Sequence, residues 1–340
     1  MTDVLLETQN VVKYFPITEG IVFRHEVASV KALDGVSLQV RRGETLGIVG
    51  ESGCGKSTLA RVIMRLLEPT GGTVRFDGRD ITHLSEQELR PVRRELQMIF
   101  QDPYASLNPR HSVGRIVGEP LRVHGLSGRK DTTKRVRDLL EVVGLPADAA
   151  SRYPHEFSGG QRQRIGIARA LAPGPELLVA DEPVSALDVS VRAQILNLLA
   201  ELQRRLGLAM VFIGHDLAVV EQVADRTAVM YLGRVVEEGP TGELLASPQH
   251  PYTAGLIATV PSLDPDAARP RPPQGEIPDA ANPPRGCAYH PRCPIAAQIC
   301  RDQAPSLGPV AGDPGSRRRA ACHFPGVWAP PAPGNGGVVS

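Results

Sequence analysis

The sequence predicts an α/β domain built on a parallel sheet, followed by a loop-rich, cysteine-containing extension. Three observations lead there. Short apolar runs alternate with amphipathic stretches through the first two-thirds of the 340 residues, the rhythm of strand–helix repeats. One such run leads into a glycine-rich turn that opens a helix. Proline and cysteine crowd the far end: 20 of the 31 prolines fall between 240 and 340, and four of the five cysteines lie at or beyond 287. That shift marks a boundary near 240–265, because proline-rich chain builds neither long helices nor central strands.

Taken in order, the strands are expected at Thr45–Val49, Leu96–Phe100, Leu177–Ala180 and Ala209–Ile213, with Thr227–Val236 as an edge hairpin around Gly233. Helices are expected at Lys56–Leu67, Gly159–Ala172, Val189–Leu206 and Leu217–Ala224. Asp102–Tyr153 breaks the alternation. It carries helical patterns such as Thr133–Val143 without a core strand, so it reads as a helical insertion, a subdomain of about 102–165. The body then spans 1–260 and a Pro/Cys-rich module 261–329, and 330–340 is expected to be a disordered tail.

Composition narrows the function. Lys and Arg total 38 against 37 Asp and Glu, a net charge of +1, and aromatics are only 4%. Neither a global positive field nor a base-stacking platform is available, so no nucleic-acid partner is expected. No apolar run reaches the roughly 18 residues that a membrane helix needs. The opening MTDVLLETQN lacks a basic segment followed by an apolar core, so a cytoplasmic protein is expected, where structural disulfides are rare.

Gly50-Glu-Ser-Gly-Cys-Gly-Lys-Ser57 fits the pattern G-x-x-x-x-G-K-[ST], between a strand and a helix, at every defined position. Gly50, Gly53 and Gly55 let the backbone wrap a phosphate, with the amides of Ser52, Cys54 and neighbours pointing inward. The helix start around Thr58 adds a favourable dipole. Lys56 can reach the outer phosphates, and the Ser57 hydroxyl can ligate Mg²⁺. Cys54 occupies an unconstrained position and reads as a loop residue, not a nucleophile. Further on, Leu177-Leu-Val-Ala-Asp181-Glu182 is an apolar strand ending in two acids. There Asp181 suits Mg²⁺, and Glu182 can face the γ-phosphate and polarise a water.

Three more elements accompany these. Ser158-Gly-Gly-Gln-Arg162 opens a helix 23 residues before Asp181; Gln101 ends a strand before Asp-Pro; and His215 ends another, before Asp216. With Ser185-Ala-Leu-Asp188 after the two acids, the ordered set resembles the ATP-binding subunit of an ABC transporter over residues 4–260. The resemblance implies a P-loop NTPase core with a β-subdomain and the helical insertion. It also implies roles. Phe15, or failing it the adjacent Tyr14, would stack on adenine. Gln101 would contact Mg²⁺ and the attacking water. Ser158, Gly160 and Gln161 would contact the γ-phosphate bound by a second ATPase subunit, where Asp188 would lie at the interface. His215 would hold the γ-phosphate geometry, and Glu182 would be the base. Gly214 stands where the family often has Ser.

Finer features resemble the oligopeptide/dipeptide importer branch, its second ATPase subunit especially: Gln101-Asp-Pro-Tyr-Ala-Ser-Leu-Asn-Pro-Arg110, His250-Pro-Tyr-Thr253, Gly275-Glu-Ile-Pro278, Asn282-Pro-Pro-Arg-Gly-Cys287 and His290-Pro-Arg-Cys293. The resemblance implies ATP-driven peptide import from the cytoplasmic face of the cell membrane. The partners would be a homologous ATPase subunit, two permease subunits and an extracytoplasmic peptide-binding protein. The branch also contains importers of nickel and other small solutes, and a soluble ABC-type ATPase outside transport is a remoter alternative. Tyr104, Leu107 and Asn108 would either meet a permease coupling helix or pack the insertion internally. Cys287, Cys293, Cys300 and Cys322 lie in one proline-rich segment of a cytoplasmic protein, which suggests a metal or cluster before disulfides. The resemblance favours a [4Fe–4S] cluster, with zinc or free thiols as alternatives and His290 and His323 as bystanders. Arg317-Arg-Arg319 reads as a solvated loop or a contact to anionic lipid.

Overall fold

The computed structural model describes residues 3–19, 25–102, 104, 106–259, 273, 275–310 and 317–327. The expected tail at 330–340 and most of 261–274 lie outside the described residues. The chain runs β1 Val4–Glu19, β2 His25–Arg41, β3 Thr45–Val49, α1 Lys56–Ile63, β4 Gly71–Phe76, β5 Arg79–Asp80, α2 Glu86–Glu95, β6 Leu96–Ile99. Then come α3 Val113–Val123, α4 Arg129–Val142, α5 Gly159–Leu171, β7 Leu177–Asp181, α6 Val189–Leu206, β8 Ala209–Ile213 and α7 Leu217–Glu221. The last elements are β9 Arg226–Tyr231, β10 Arg234–Pro240, α8 Thr241–Ala246, α9 Pro251–Ile257, α10 Gln298–Asp302, β11 Gly308–Pro309 and β12 Arg319–Ala320.

An eight-stranded sheet carries the fold, in the order β11-β12-β10-β9-β3-β8-β7-β6. Strands β3, β6, β7, β8 and β9 pair in parallel, and every residue of β3, β7, β8 and β9 is buried. Strands covered on both faces need continuous apolar runs, which is why these were legible in the sequence. Alternate residues divide between two cores. Leu178, Ala180, Met210 and Phe212 face the helical side, with Ile165 of α5 and Leu199 of α6. Leu177, Val179, Val211 and Ile213 face the other side, with Leu59 of α1 and Leu33 of β2.

The edge assigned to the hairpin is corrected. β9 lies between β3 and β10, and β12 of the Cys-rich module adds to the far side of β10. Arg317–Arg319 is not simply a solvated loop either. Arg318 bonds the Ser247 carbonyl, and Arg319 pairs with Glu238 at 2.7 Å. The module packs on the body's core: Tyr289 is buried against Tyr231 and Tyr252, with ring centroids 5.2 and 5.4 Å apart.

A second sheet, β2-β1-β4-β5, packs beside the body. Its long strands β1 and β2 have no counterpart among the strands read from sequence. Their pairing shifts register at several points, and Asn10 sits at φ 46°, so period-two alternation is broken along β1. Between β6 and β7 the chain forms the helices α3, α4 and α5. Within this stretch Leu107 is buried at 2% exposure, so it packs the insertion; Tyr104 is exposed, with the Arg162 guanidinium 3.9 Å from its ring centroid. The Asn108 carboxamide accepts the Arg110 amide at 3.0 Å, closing a turn.

Candidate functional site

The predicted catalytic residues lie just beyond the carboxyl ends of β3, β6, β7 and β8, where α/β sheets place their ligands. The Gly50–Ser57 loop leaves β3 and enters α1 through Gly55, whose φ of 105° is left-handed. A Cβ there would meet the Ala32 carbonyl oxygen at 2.2 Å, so only glycine fits this turn. Lys56 is buried, and its Nζ donates to the Gly50 and Glu51 carbonyls at 2.7 and 3.0 Å. Ser52 and Gly53 are exposed at the loop's rim, and Ser57 and Thr58 are half-buried in the first turn of α1. Cys54 turns its thiol inward: it is buried, and burial pushes its pKa up, so only its backbone can face a phosphate.

Ser57 Oγ donates to Asp181 Oδ1 at 3.0 Å, joining the loop to the end of β7. Burial pushes the Asp181 carboxyl above the ordinary range, only partly offset by the Ser57 hydrogen bond. A hydroxyl and a buried carboxylate whose desolvation outweighs the groups that favour its charge are a donor set suited to a hard cation such as Mg²⁺.

Glu182 follows at φ 45°, a left-handed conformation rare for a non-glycine residue and typical of functional sites. Its amide is fixed to the Ile213 carbonyl at 3.0 Å. Two predicted residues converge on its Oε2: Gln101 Nε2 at 3.1 Å and His215 Nδ1 at 3.3 Å. Gln101 lies just beyond β6 and His215 just beyond β8, so three strand ends supply one cluster. Asp216 caps α7 by accepting the Ala218 amide at 3.0 Å.

Two groups of predicted residues stand apart from this cluster. Ser158 and Gln161 form a capping box at the start of α5. Ser158 Oγ accepts the Gln161 amide at 3.4 Å, and Gln161 Oε1 accepts the Ser158 amide at 3.0 Å. Gly160 has a packing reason to be glycine: a Cβ there would meet Val191 of α6 at 2.4 Å. Asp188, the N-cap residue of α6, is exposed. Among the described residues, no hydrogen bond joins Ser158, Gly160 or Gln161 to the Gly50–Ser57 loop within the chain. Phe15 lies on β1 at 37% exposure under the Lys13 ammonium, 5.2 Å from its centroid. Tyr14 is committed elsewhere: its hydroxyl donates to Asp34 at 2.7 Å, and burial followed by Asp34 pushes its pKa up to about 12.

Residues 33–185 match the family model of the ABC transporter, and residues 236–300 match that of the oligopeptide/dipeptide transporter C-terminal region. A probable peptide ABC transporter ATP-binding protein of Sinorhizobium fredii is 54% identical over 333 residues, covering 98% of this chain and 92% of the relative. The chain belongs to the ABC transporter ATP-binding family. An oligopeptide transport ATP-binding protein of Bacillus subtilis is 50% identical over 326 residues, 95% of this chain and 98% of the relative. A solved dimeric ATP-binding cassette in a post-hydrolysis state with ADP and Pi superposes with a TM-score of 0.62 at 32% identity, covering 70% of this chain and 99% of that one. As an ABC ATPase, this chain hydrolyses ATP.

In this ABC ATPase the four late cysteines share one neighbourhood. The Cys287 amide donates to the Cys300 carbonyl at 2.8 Å, and the charge of Cys293, once ionised, would be felt by Cys287, Cys322 and Cys300. Burial raises the thiols of Cys287 and Cys322, and that of Cys293 to about 11. Among the described residues, no three His, Cys, Asp or Glu side chains gather as closely as one metal ion requires. His290 Nδ1 is engaged with the Cys287 carbonyl at 2.9 Å, and His323 Nε2 with the Gln303 carbonyl at 3.0 Å. Among the described residues, no helix of the ABC ATPase is long and apolar enough to cross a membrane.

Sequence reading missed the site's second layer. Tyr252 and Arg292 each bond Glu51 behind the phosphate loop. These two sit in segments singled out for resemblance, His250-Pro-Tyr-Thr253 and His290-Pro-Arg-Cys293, yet nothing local in either segment names the other's partner.

Proposed function

We propose that this chain powers the import of peptides across the cytoplasmic membrane, working at its inner face. Its partners would be a homologous ATPase subunit, two permeases and an extracytoplasmic peptide-binding protein. The observation that carries the ATPase chemistry is the convergence of Gln101 and His215 on Glu182, beside the Ser57–Asp181 pair. Gly50 to Thr58 would cradle the phosphates of ATP, and Phe15 would stack on its base. Ser57, Asp181 and Gln101 would hold Mg²⁺, which when bound neutralises phosphate charge. Glu182 would take a proton from the attacking water, oriented by Gln101 and His215, as the β–γ phosphoanhydride breaks to ADP and phosphate. The α5 tip with Ser158, Gly160 and Gln161 would meet the γ-phosphate held by the sister subunit, since a glycine-led helix N-terminus is an anion site. ATP would thereby join the two subunits, and hydrolysis would release them.

Peptide cargo rests on the names of the relatives and on the match of residues 236–300. In proteoliposomes holding the full transporter, labelled peptide should accumulate with ATP, and a Lys56→Ala subunit should abolish accumulation. Uptake of nickel but not peptide would replace the cargo and keep the ATPase.

Cys287, Cys293, Cys300 and Cys322 would hold a [4Fe–4S] cluster that staples the loops. Four cysteines in one proline-rich segment are what supports this reading. Anaerobically purified protein should contain iron and acid-labile sulfide, and Cys293→Ser should lose both. Zinc without sulfide would overturn the cluster.

A further inference from the structure

The phosphate loop contains a carboxylate that ATP would not welcome. Glu51 follows Gly50 directly, and a negative side chain at that point opposes a bound triphosphate. In the fold this charge is countered from the opposite end of the sequence. Arg292 grips Glu51 with both prongs, Nη1 to Oε2 at 2.7 Å and Nη2 to Oε1 at 2.9 Å, across 241 residues. The guanidinium is buried, at 4% side-chain exposure, and Glu51 is at 22%. Two rings flank it, with centroids 5.8 Å away for Tyr231 and 5.9 Å for Tyr289. The rest of Glu51 is held as tightly. Its amide accepts no freedom either, donating to Tyr252 Oη at 2.8 Å, while its carbonyl receives Lys56 Nζ at 3.0 Å. The Glu51 hydrogen bonds also hold Arg292 more firmly protonated than usual, against the cost of its burial.

We propose that Arg292 is a positioning residue for ATP: by neutralising and fixing Glu51 it completes the phosphate loop, so the Cys-rich module is part of the nucleotide site. This rests on the reading of Gly50–Ser57 as the ATP loop. A bidentate guanidinium suits the task better than an ammonium, because it fixes both carboxylate oxygens in one plane.

The test is steady-state ATPase kinetics and fluorescent-ATP titration on the full-length chain. Arg292→Met should raise KM and the dissociation constant for ATP by about tenfold, the size expected for one uncompensated charge near the phosphates, with kcat moving far less. Arg292→Lys, which keeps the charge and loses the fork, should show a smaller rise and covers the case in which the Met variant does not fold. The double variant Glu51→Gln/Arg292→Met should return to within about twofold of wild type, because the charge needing compensation is gone. Wild-type KM in both single variants would overturn the proposal. So would a double variant as weak as Arg292→Met, which would make the residue a mere prop for the module. A wild-type chain that binds ATP no better than Lys56→Ala would instead refute the loop assignment, and this inference with it.

Discussion

Replacing Glu182 with glutamine should lower phosphate release by about a hundred- to ten-thousand-fold while ATP still binds. The substitution keeps the shape of the side chain and removes its capacity to take a proton. Lys56, Ser57 and Asp181, which would hold the nucleotide, are untouched, so a titration with fluorescent ATP should give an affinity near that of wild type. The left-handed backbone at residue 182 does not change either, because glutamine meets the same local constraint as glutamate. His215 and Gln101 would still reach the side chain, and their bonds would orient a water that no group can deprotonate. ATP should then persist, and with it the joined pair of subunits, visible as an ATP-dependent dimer by size-exclusion chromatography. Equal rates of phosphate release in wild type and variant would remove Glu182 from its role.

The contrast between what was legible and what was not follows from sequence distance. Gly50–Ser57 could be read because a phosphate loop is contiguous: its strand, its glycines and its helix start lie within a few residues. Asp181 and Glu182 could be read because β7 is a buried apolar run, and the sudden change to two acids marks its end. The meeting of Gln101 and His215 at Glu182 needed the parallel order β6-β7-β8, which alternating strands and helices imply but do not fix. The pairing of Arg292 with Glu51 carried no signal, since each lies in a segment that stands out alone but nothing local in either names the other, 241 residues away. Nor did β1 read as a strand, where bulges and Pro16 break the alternation on which such a reading depends. The prolines of the Cys-rich module argue against long helices and central strands of its own; the structure supports it through Tyr289 and β12, which only the folded body makes available.

That support leads to the second large effect. Arg226→Met should destabilise the protein by about 3 kcal/mol, read as a lower denaturant midpoint at unchanged slope. Arg226 is buried at 8% exposure, and it bridges Glu44 at 2.9 Å and Glu238 at 2.5 Å. Burial works against its charge, but the two carboxylates outweigh that and hold it protonated beyond the ordinary arginine range. Without it, among the described residues, Glu238 remains buried at 4% exposure with Arg319 as its one ion-pair partner. A carboxylate stripped of one of two partners in a dry site costs more than an exposed pair ever contributes, which is why the loss exceeds the roughly 1 kcal/mol ceiling of surface bridges. Adding Glu238→Gln should recover part of the loss by removing the stranded charge. A loss below about 1 kcal/mol in Arg226→Met would mean that water reaches this network. The damage should also be local. Glu238 and Arg319 are direct cross-strand partners in β10 and β12, so a Glu238 that shifts toward solvent takes the edge of the module with it. Hydrogen exchange of the Ala321 amide, bonded to the Val236 carbonyl at 2.8 Å, should therefore quicken by a larger factor than that of Val211 in the centre of β8. Equal acceleration at both amides would show that the network stabilises the body as a whole and does not pin the module to it.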